Sequence, residues 1–246
     1  MIKKLVFVVL GLVVLILVGA YIYRNILVEK AVEEASMFAL GVRTDLGAAS
    51  LEIGGGSLEL DNFVVSNPTG FQGDHFMTMR RGMLDVETGS VLDDEIVIDS
   101  LIIEGVHLNL EQVDTRGNYK VLLDHINKHS FGGSSESEKT FRIGMAALRD
   151  ISVTGRLSIA GQEREKTFSL ENFTLQNLGG ADGADLTTIT MTLMKSLIER
   201  AAKAGQGALT GGFGLDVSGT VNEQVDKVKS EAEEKAKDLG KSLLGH

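Results

Sequence analysis

The 246-residue chain carries 24 basic and 34 acidic residues, a formal net charge of −10, and a hydrophobic fraction of 43% that is typical of a folded protein. It has no cysteine, which excludes disulfides, thiolate metal sites and cysteine nucleophiles. The negative charge argues against nucleic acid or an anionic lipid surface as a partner, because both require a cationic face.

The N-terminal segment predicts a membrane anchor over residues 1–23. Leu5 to Tyr23 is a run of 19 residues without a charge, about 28 Å long as a helix and therefore long enough to cross a bilayer. Lys3 and Lys4 precede it, so the positive-inside rule places the N-terminus in the cytoplasm and the bulk of the chain on the other side. The alternative is a signal peptide cleaved after Val18-Gly19-Ala20, but the apolar run is longer than a signal core.

The next segment, 24–41, has helical spacing and predicts a stalk that continues the membrane helix. Its apolar residues are interleaved with Glu29, Lys30, Glu33 and Glu34, and Gly41 is a plausible stop.

Residues 42–179 predict a strand-rich domain, because the apolar period falls to two. Gly54-Gly55-Gly56 joins two alternating strands in a predicted hairpin. Further alternating stretches predict an antiparallel meander with one apolar face; they are 77–86, 95–103, 106–110, 142–157 and 168–175. Residues 118–129 predict a short helix with Val121, Leu122 and Ile126 on one side, followed by a flexible linker near 132–139.

Two local echoes occur within this region. Asn62-Phe63-x-Val65-x-Asn67 matches Asn172-Phe173-x-Leu175-x-Asn177, and the spacing around Gly105 matches that around Gly155. The echoes are consistent with a weak repeat, with the glycines marking bulges, or with chance similarity within a meander.

The C-terminal part predicts an amphipathic helix at 180–205, led by Asp185 and stopped by Gly205. Its apolar face comprises Leu186, Ile189, Leu193, Met194, Leu197, Ile198 and Ala201. Residues 206–246 predict a glycine-rich linker and a thin amphipathic tail helix.

Motifs for chemistry are weak throughout. His125 and His129 are spaced to share a metal on a helix, but no third ligand accompanies them, so we predict no metal site and no cofactor. The glycine runs match neither a phosphate loop nor a dinucleotide fingerprint, and no Gly-x-Ser-x-Gly elbow is present. We therefore predict that the protein is not an enzyme and has no catalytic residues.

The order of parts resembles that of the AsmA-like family of inner-membrane-anchored periplasmic proteins, of which this chain would be a small member. The similarity spans about Leu5 to His129 and rests on Leu40-Gly41-Val42, Leu51-Glu52-Ile53, the strand from Leu58 that leads into Asn67-Pro68-x-Gly70-Phe71, and Ile96 to Gly105. The second half of the chain matches less closely.

The resemblance implies a mainly β (α+β) fold: a transmembrane helix, a curved antiparallel sheet with AsmA-like topology and C-terminal helices. It also implies Gram-negative inner-membrane localisation with a periplasmic domain, and a role in envelope biogenesis or lipid transport in which an apolar sheet groove shields acyl chains. Phospholipid and envelope proteins are the expected partners. The candidate lipid-binding face comprises Leu51, Ile53, Leu58, Leu60, Phe63, Val65, Ile96, Ile98, Leu101 and Ile103.

Two alternatives remain open. The same face is equally compatible with a closed core under the C-terminal helix. The protein is also compatible with an envelope scaffold that binds another protein through a sheet edge or the tail helix.

Overall fold

The computed structural model describes residues 23–130, 139–159 and 161–208, and these form a mainly β fold with three α-helices. The helices are α1 (23–40), α2 (Asn118–Ser130) and α3 (Leu186–Ala208), with a 3-10 turn at Thr88–Leu92. The strands are β1 (Thr44–Glu52), β2 (Ser57–Ser66), β3 (His75–Val86), β4 (Glu95–Val113), β5 (Arg116–Gly117), β6 (Thr140–Ile159), β7 (Gln162–Leu170) and β8 (Phe173–Leu178). Of the predicted glycine-rich linker and tail helix at 206–246, residues 206–208 form the last turn of α3 and the rest lies outside the described residues. The predicted linker near 132–139, except for Lys139, and the anchor up to residue 22 also lie outside them.

All eight strands form one curved, mixed sheet in the order β1-β2-β3-β4-β6-β7, with β5 paired to β4 and β8 to β6. The predicted antiparallel meander is wrong at its centre, because β4 and β6 run parallel from the Glu95↔Thr140 pair to the Val113↔Ser158 pair. The segment 114–139 between them contains α2 and is long enough for the crossover that a parallel pair requires. The predicted strands 95–103 and 106–110 are one strand, β4.

Helices α2 and α3 cover one face of the sheet and form the main core with it. Tyr119, Leu122, Leu123 and Ile126 of α2 are almost fully buried beside strand residues such as Leu108. The predicted inward position Val121 is instead 44% exposed, because the buried stripe of α2 runs through 119, 122, 123 and 126.

Helix α3 begins where the sequence predicts, since Asp185 Oδ1 accepts a hydrogen bond from Thr188 N at 2.9 Å as an N-cap. The helix does not stop at Gly205 but continues to Ala208, and Gly205 lies buried against Phe168. Of the predicted face, Leu186 is 56% exposed, while Ile189, Met194, Leu197, Ile198 and Ala201 are buried.

Helix α1 is not a free stalk but lies along the outer edge of β1. Leu51 is bonded twice: its carbonyl accepts from Arg24 Nε at 2.8 Å, and its amide donates to Asn25 Oδ1 at 3.0 Å. Further along, Leu46 N donates to Glu33 Oε1 at 2.9 Å and Thr44 Oγ1 donates to the Glu33 carbonyl at 2.8 Å. Side chains of α1 therefore satisfy backbone groups that an edge strand leaves open.

A line of left-handed residues crosses the sheet from strand to strand. Asn62, Gly105 and Asp150 have φ angles of 54°, 67° and 52°, and the strand registers place Arg80 opposite Gly105 and Gly105 beside Asp150. The Arg80 side chain passes over Gly105, whose added Cβ would lie 2.7 Å from Arg80 Cβ, and Arg80 Nη2 donates to Asp150 Oδ2 at 3.2 Å. We call this feature the transverse line.

The transverse line changes which residues face the core. In β4 the core positions Leu101 and Ile103 are followed by Val106 and Leu108, and in β6 Leu148 is followed by Ile151. The pairing register between β2 and β3 is the same on both sides of the transverse line. The neighbouring strands therefore change which of their alternate residues face the core at the same level of the sheet. The predicted strand 168–175 also breaks here, at Glu171–Asn172, where Asn172 Oδ1 accepts from Asp150 N at 3.0 Å.

Candidate functional site: an apolar cleft between two helices

A cleft lies between α1 and α3, with the sheet as its floor. Its first cavity has a volume of about 290 Å³. The lining residues are Val32 and Ser36 from α1, Leu60 and Phe63 from β2, Met77, Met79, Gly82 and Leu84 from β3, Leu101, Ile103 and Val106 from β4, Leu148 from β6, and Thr190, Leu193, Met194 and Leu197 from α3. None of these side chains carries a charge.

A second cavity, of about 400 Å³, adjoins the first towards the end of α1. The two cavities share the lining residues Ser36, Phe63, Met77, Thr190 and Met194. Phe38 and Leu186 also line the second cavity, yet they are 70% and 56% exposed, so they mark the side where the cleft opens to solvent.

Four of the ten predicted lipid-facing residues line the cleft: Leu60, Phe63, Leu101 and Ile103. Val65 is instead buried in the main core, whereas Ile98 is buried in a smaller cluster against which Ile96 packs. The remaining three, Leu51, Ile53 and Leu58, do not line either cavity, and Ile53 is 57% exposed in the turn after β1. The face is thus part closed core and part open cleft.

Sequence reasoning missed the contribution of β3. Met77, Met79 and Gly82 lie at the centre of the cleft floor, and the cross-strand pairs Leu60↔Gly82 and Phe63↔Met79 hold them beside predicted residues. The usable signal was the pair of alternating methionines, whose flexible thioethers adapt to irregular apolar ligands. Met194 of α3 lines both cavities, whereas Met191 is buried in the main core.

Ionised groups form pairs on the surface, away from the cleft. The Arg142 guanidinium, 3.0 Å from Glu95, holds the pKa of that carboxyl below its usual range. Arg43 lowers the pKa of Asp45 in the same way, across 2.7 Å. None of these four residues lines either cavity.

A buried carboxylate, Glu111, is fully engaged in structural contacts. Its side-chain oxygens accept hydrogen bonds from Gln72 N and Gly73 N, both at 2.7 Å, and from Asn67 Nδ2 at 2.8 Å. Asn118 Nδ2 in turn donates to Asn67 Oδ1 at 3.0 Å. Asn67, which opens the Asn-Pro-x-Gly-Phe segment of the family resemblance, is thereby held against the end of β4, so the fold explains the asparagine at this position.

His125, the first residue of the predicted histidine pair, has a structural role. His125 Nε2 lies 3.1 Å from the Phe38 carbonyl, and the ring packs against Gly41, tying α2 to the end of α1. Among the described residues, no three His, Cys, Asp or Glu side chains come close enough together to bind a metal ion.

Within 23–130, 139–159 and 161–208, no helix is both long and apolar enough to cross a bilayer. Comparison of the sequence with protein-family models and with curated proteins gave no match. The cleft is therefore interpreted from its own chemistry.

Proposed function

We propose that this chain is a membrane-anchored, non-enzymatic protein, similar to the AsmA-like proteins, that shields the acyl chain of a lipid in the cleft between α1 and α3. The observation that carries the proposal is the lining: every described residue around both cavities is uncharged, and Ser36 and Thr190 supply the hydroxyls among them. Cavities of about 290 and 400 Å³ are in or near the range of about 300–1,000 Å³ usual for small-molecule sites.

The proposal places the domain on the periplasmic side of an inner membrane, in envelope biogenesis or lipid transport. Six strands side by side, at about 4.8 Å each, span roughly 25–30 Å. A sheet of this width does not bridge an envelope unaided, so the protein would act locally or with partners.

The alternative function, an envelope scaffold that binds another protein through a sheet edge, has less support because both outer strands of the sheet are protected. The outer edge of β1 already bonds to α1 through Arg24, Asn25 and Glu33. At the other side, β7 carries the run Glu163 to Lys166, the charged composition of an edge guarded against strand addition.

The first test uses site-specific photo-crosslinking in cells that express the full chain. Benzoylphenylalanine replaces Leu60, on the cleft floor, or its neighbour Glu59, which points to the opposite face of β2. We expect lipid adducts, identified by mass spectrometry, at position 60 and not at position 59. Equal adducts at both positions, or none at either, would contradict the proposal.

A cavity-filling variant sharpens the test. Gly82 pairs with Leu60 across the strands, and its φ angle is not left-handed. An added Cβ would meet the flexible end of Met79 at 3.0 Å and would lie in ordinary contact with Leu60 Cβ at 3.8 Å. We expect Gly82→Val to reduce adducts at position 60 about tenfold while leaving the melting temperature unchanged or higher, since valine favours strands and fills space. Gly54→Val, in an open turn, is the matched control.

A further inference from the structure

Several large apolar side chains are exposed at one end of the domain. Leu92 is 92% exposed and Val91 43% exposed, both in the 3-10 turn before β4, and Ile53 is 57% exposed in the β1–β2 turn. The two turns are adjacent, because Val86 N donates to the Gly56 carbonyl at 2.8 Å. We call Ile53, Val91 and Leu92 the apolar tip.

The described chain begins at this same end. Arg24 and Asn25 bond to Leu51, two residues before Ile53, whereas Glu33 bonds to Leu46, so α1 runs along β1 away from the apolar tip. Its axis, extended backward from Tyr23, points beyond this end of the sheet. The uncharged run from Leu5 ends at Tyr23, so a bilayer that holds this run would lie beside the apolar tip.

We propose that the apolar tip inserts into the interface of the bilayer that anchors the chain, so that the sheet stands upright on the membrane with the start of β4 at the lipid surface. This inference rests on the membrane anchoring in the proposed function. Apolar side chains at an interface typically enter the boundary between headgroups and acyl chains by about 5–10 Å. The neighbouring acids Glu52, Asp93 and Asp94 outnumber the neighbouring cations Arg24 and Lys139, which favours zwitterionic over anionic headgroups.

The chain contains no tryptophan, so a single introduced tryptophan reports its own depth. We would reconstitute the full chain in phosphatidylcholine vesicles, with and without bromine on the acyl chains, as Leu92→Trp, as Thr115→Trp at the opposite end of β4, and as Leu10→Trp within the apolar run. Leu92 and Thr115 are both exposed, so neither substitution disturbs packing.

We expect brominated lipid to quench Leu92→Trp and Leu10→Trp about twofold or more, while Thr115→Trp is unaffected. Adding anionic lipid should not increase the quenching of Leu92→Trp. Quenching of Leu10→Trp without quenching of Leu92→Trp would contradict insertion of the apolar tip but would still support the membrane anchor. Quenching of neither would overturn the membrane-anchored function itself, and equal quenching at 92 and 115 would rule out the upright orientation.

Discussion

Individual polar residues hold the loop between β2 and β3 in place. Asn118 is fully buried, accepts from Glu111 N at 3.0 Å and donates to the Asn109 carbonyl at 2.8 Å. Together with Glu111 and Asn67 it forms a network in which buried polar groups are paired, as burial requires.

Replacing Glu111 with glutamine should destabilise the domain. The amide nitrogen would face N–H donors where a carboxylate oxygen now accepts from Gln72 and Gly73. The expected loss is about 1–3 kcal/mol of unfolding free energy, measured by chemical denaturation of the full chain. The exposed Glu171→Gln is the control, and equal stability of the two variants would contradict the structural role of Glu111.

At the residue scale, the Asn-Pro-x-Gly-Phe segment was recognised in the sequence as distinctive, but its contacts with Glu111 and Asn118 were not predicted. Composition and alternation describe a carboxylate such as Glu111 as an outward, solvated residue. Only the fold brings its partners Asn67, Gln72 and Gly73, which lie 38 to 44 residues earlier in the sequence, into contact with it. Its burial was therefore not predictable from the local pattern.

At the scale of elements, the contact between α1 and β1 depends on an ionised carboxylate. Hydrogen bonding to Lys30, and then to the Leu46 amide, lowers the pKa of Glu33. A lowered folded-state pKa gives stability that is present above the ordinary glutamate value of about 4.3 and is lost as the pH falls through the folded-state value.

We therefore expect Glu33→Gln to lower the melting temperature at pH 7 by about 2–4 °C. The difference from the unmodified protein should shrink as the pH falls below the ordinary glutamate value of about 4.3 and through the lowered folded-state value. Thermal unfolding followed by circular dichroism across this pH range checks it. The exposed neighbour Glu34→Gln should show no such loss. A difference that persists unchanged at low pH would exclude the ionised carboxylate as the cause.

Helices α2 and α3 were predictable because their apolar stripes and the Asp185 cap are local signals. The parallel pairing of β4 with β6 was not predictable from the sequence, because both strands show the same apolar alternation and this pattern does not specify which strand lies beside which. Strand β7 was missed along most of its length, since its charged run Glu163 to Lys166 has no apolar period.

At the scale of the whole molecule, the transverse line requires a residue without a side chain at its centre. Gly105 has a φ of 67°, and an added Cβ would lie 2.7 Å from Arg80 Cβ. We expect Gly105→Ala to cost about 1–3 kcal/mol, measured by denaturant unfolding. Gly54→Ala, whose added Cβ meets no atom of the described residues within 4 Å, should be near neutral. A similar loss of stability at both positions would show that glycine content, and not the transverse line, is the cause.

The residues that line the cleft could be predicted only in part, because the transverse line interrupts the alternation on which the prediction depends. Strict alternation assigns one face to a whole strand, but each strand that crosses the transverse line changes its inward parity, as at Leu101, Ile103 and Val106. Residues on β2 and β4 near the line were identified, while the walls supplied by Val32 of α1 and Leu193 of α3 depend on long-range packing.

The bonds from α1 to β1 have a consequence for how such a sheet enlarges. A strand added beside β1 would have to displace Arg24, Asn25 and Glu33 from the backbone groups they occupy. Lengthening by gene duplication before β1 is therefore opposed by occupied backbone groups, whereas beyond β7 it is opposed by the charged side chains of Glu163 to Lys166, which substitution can remove.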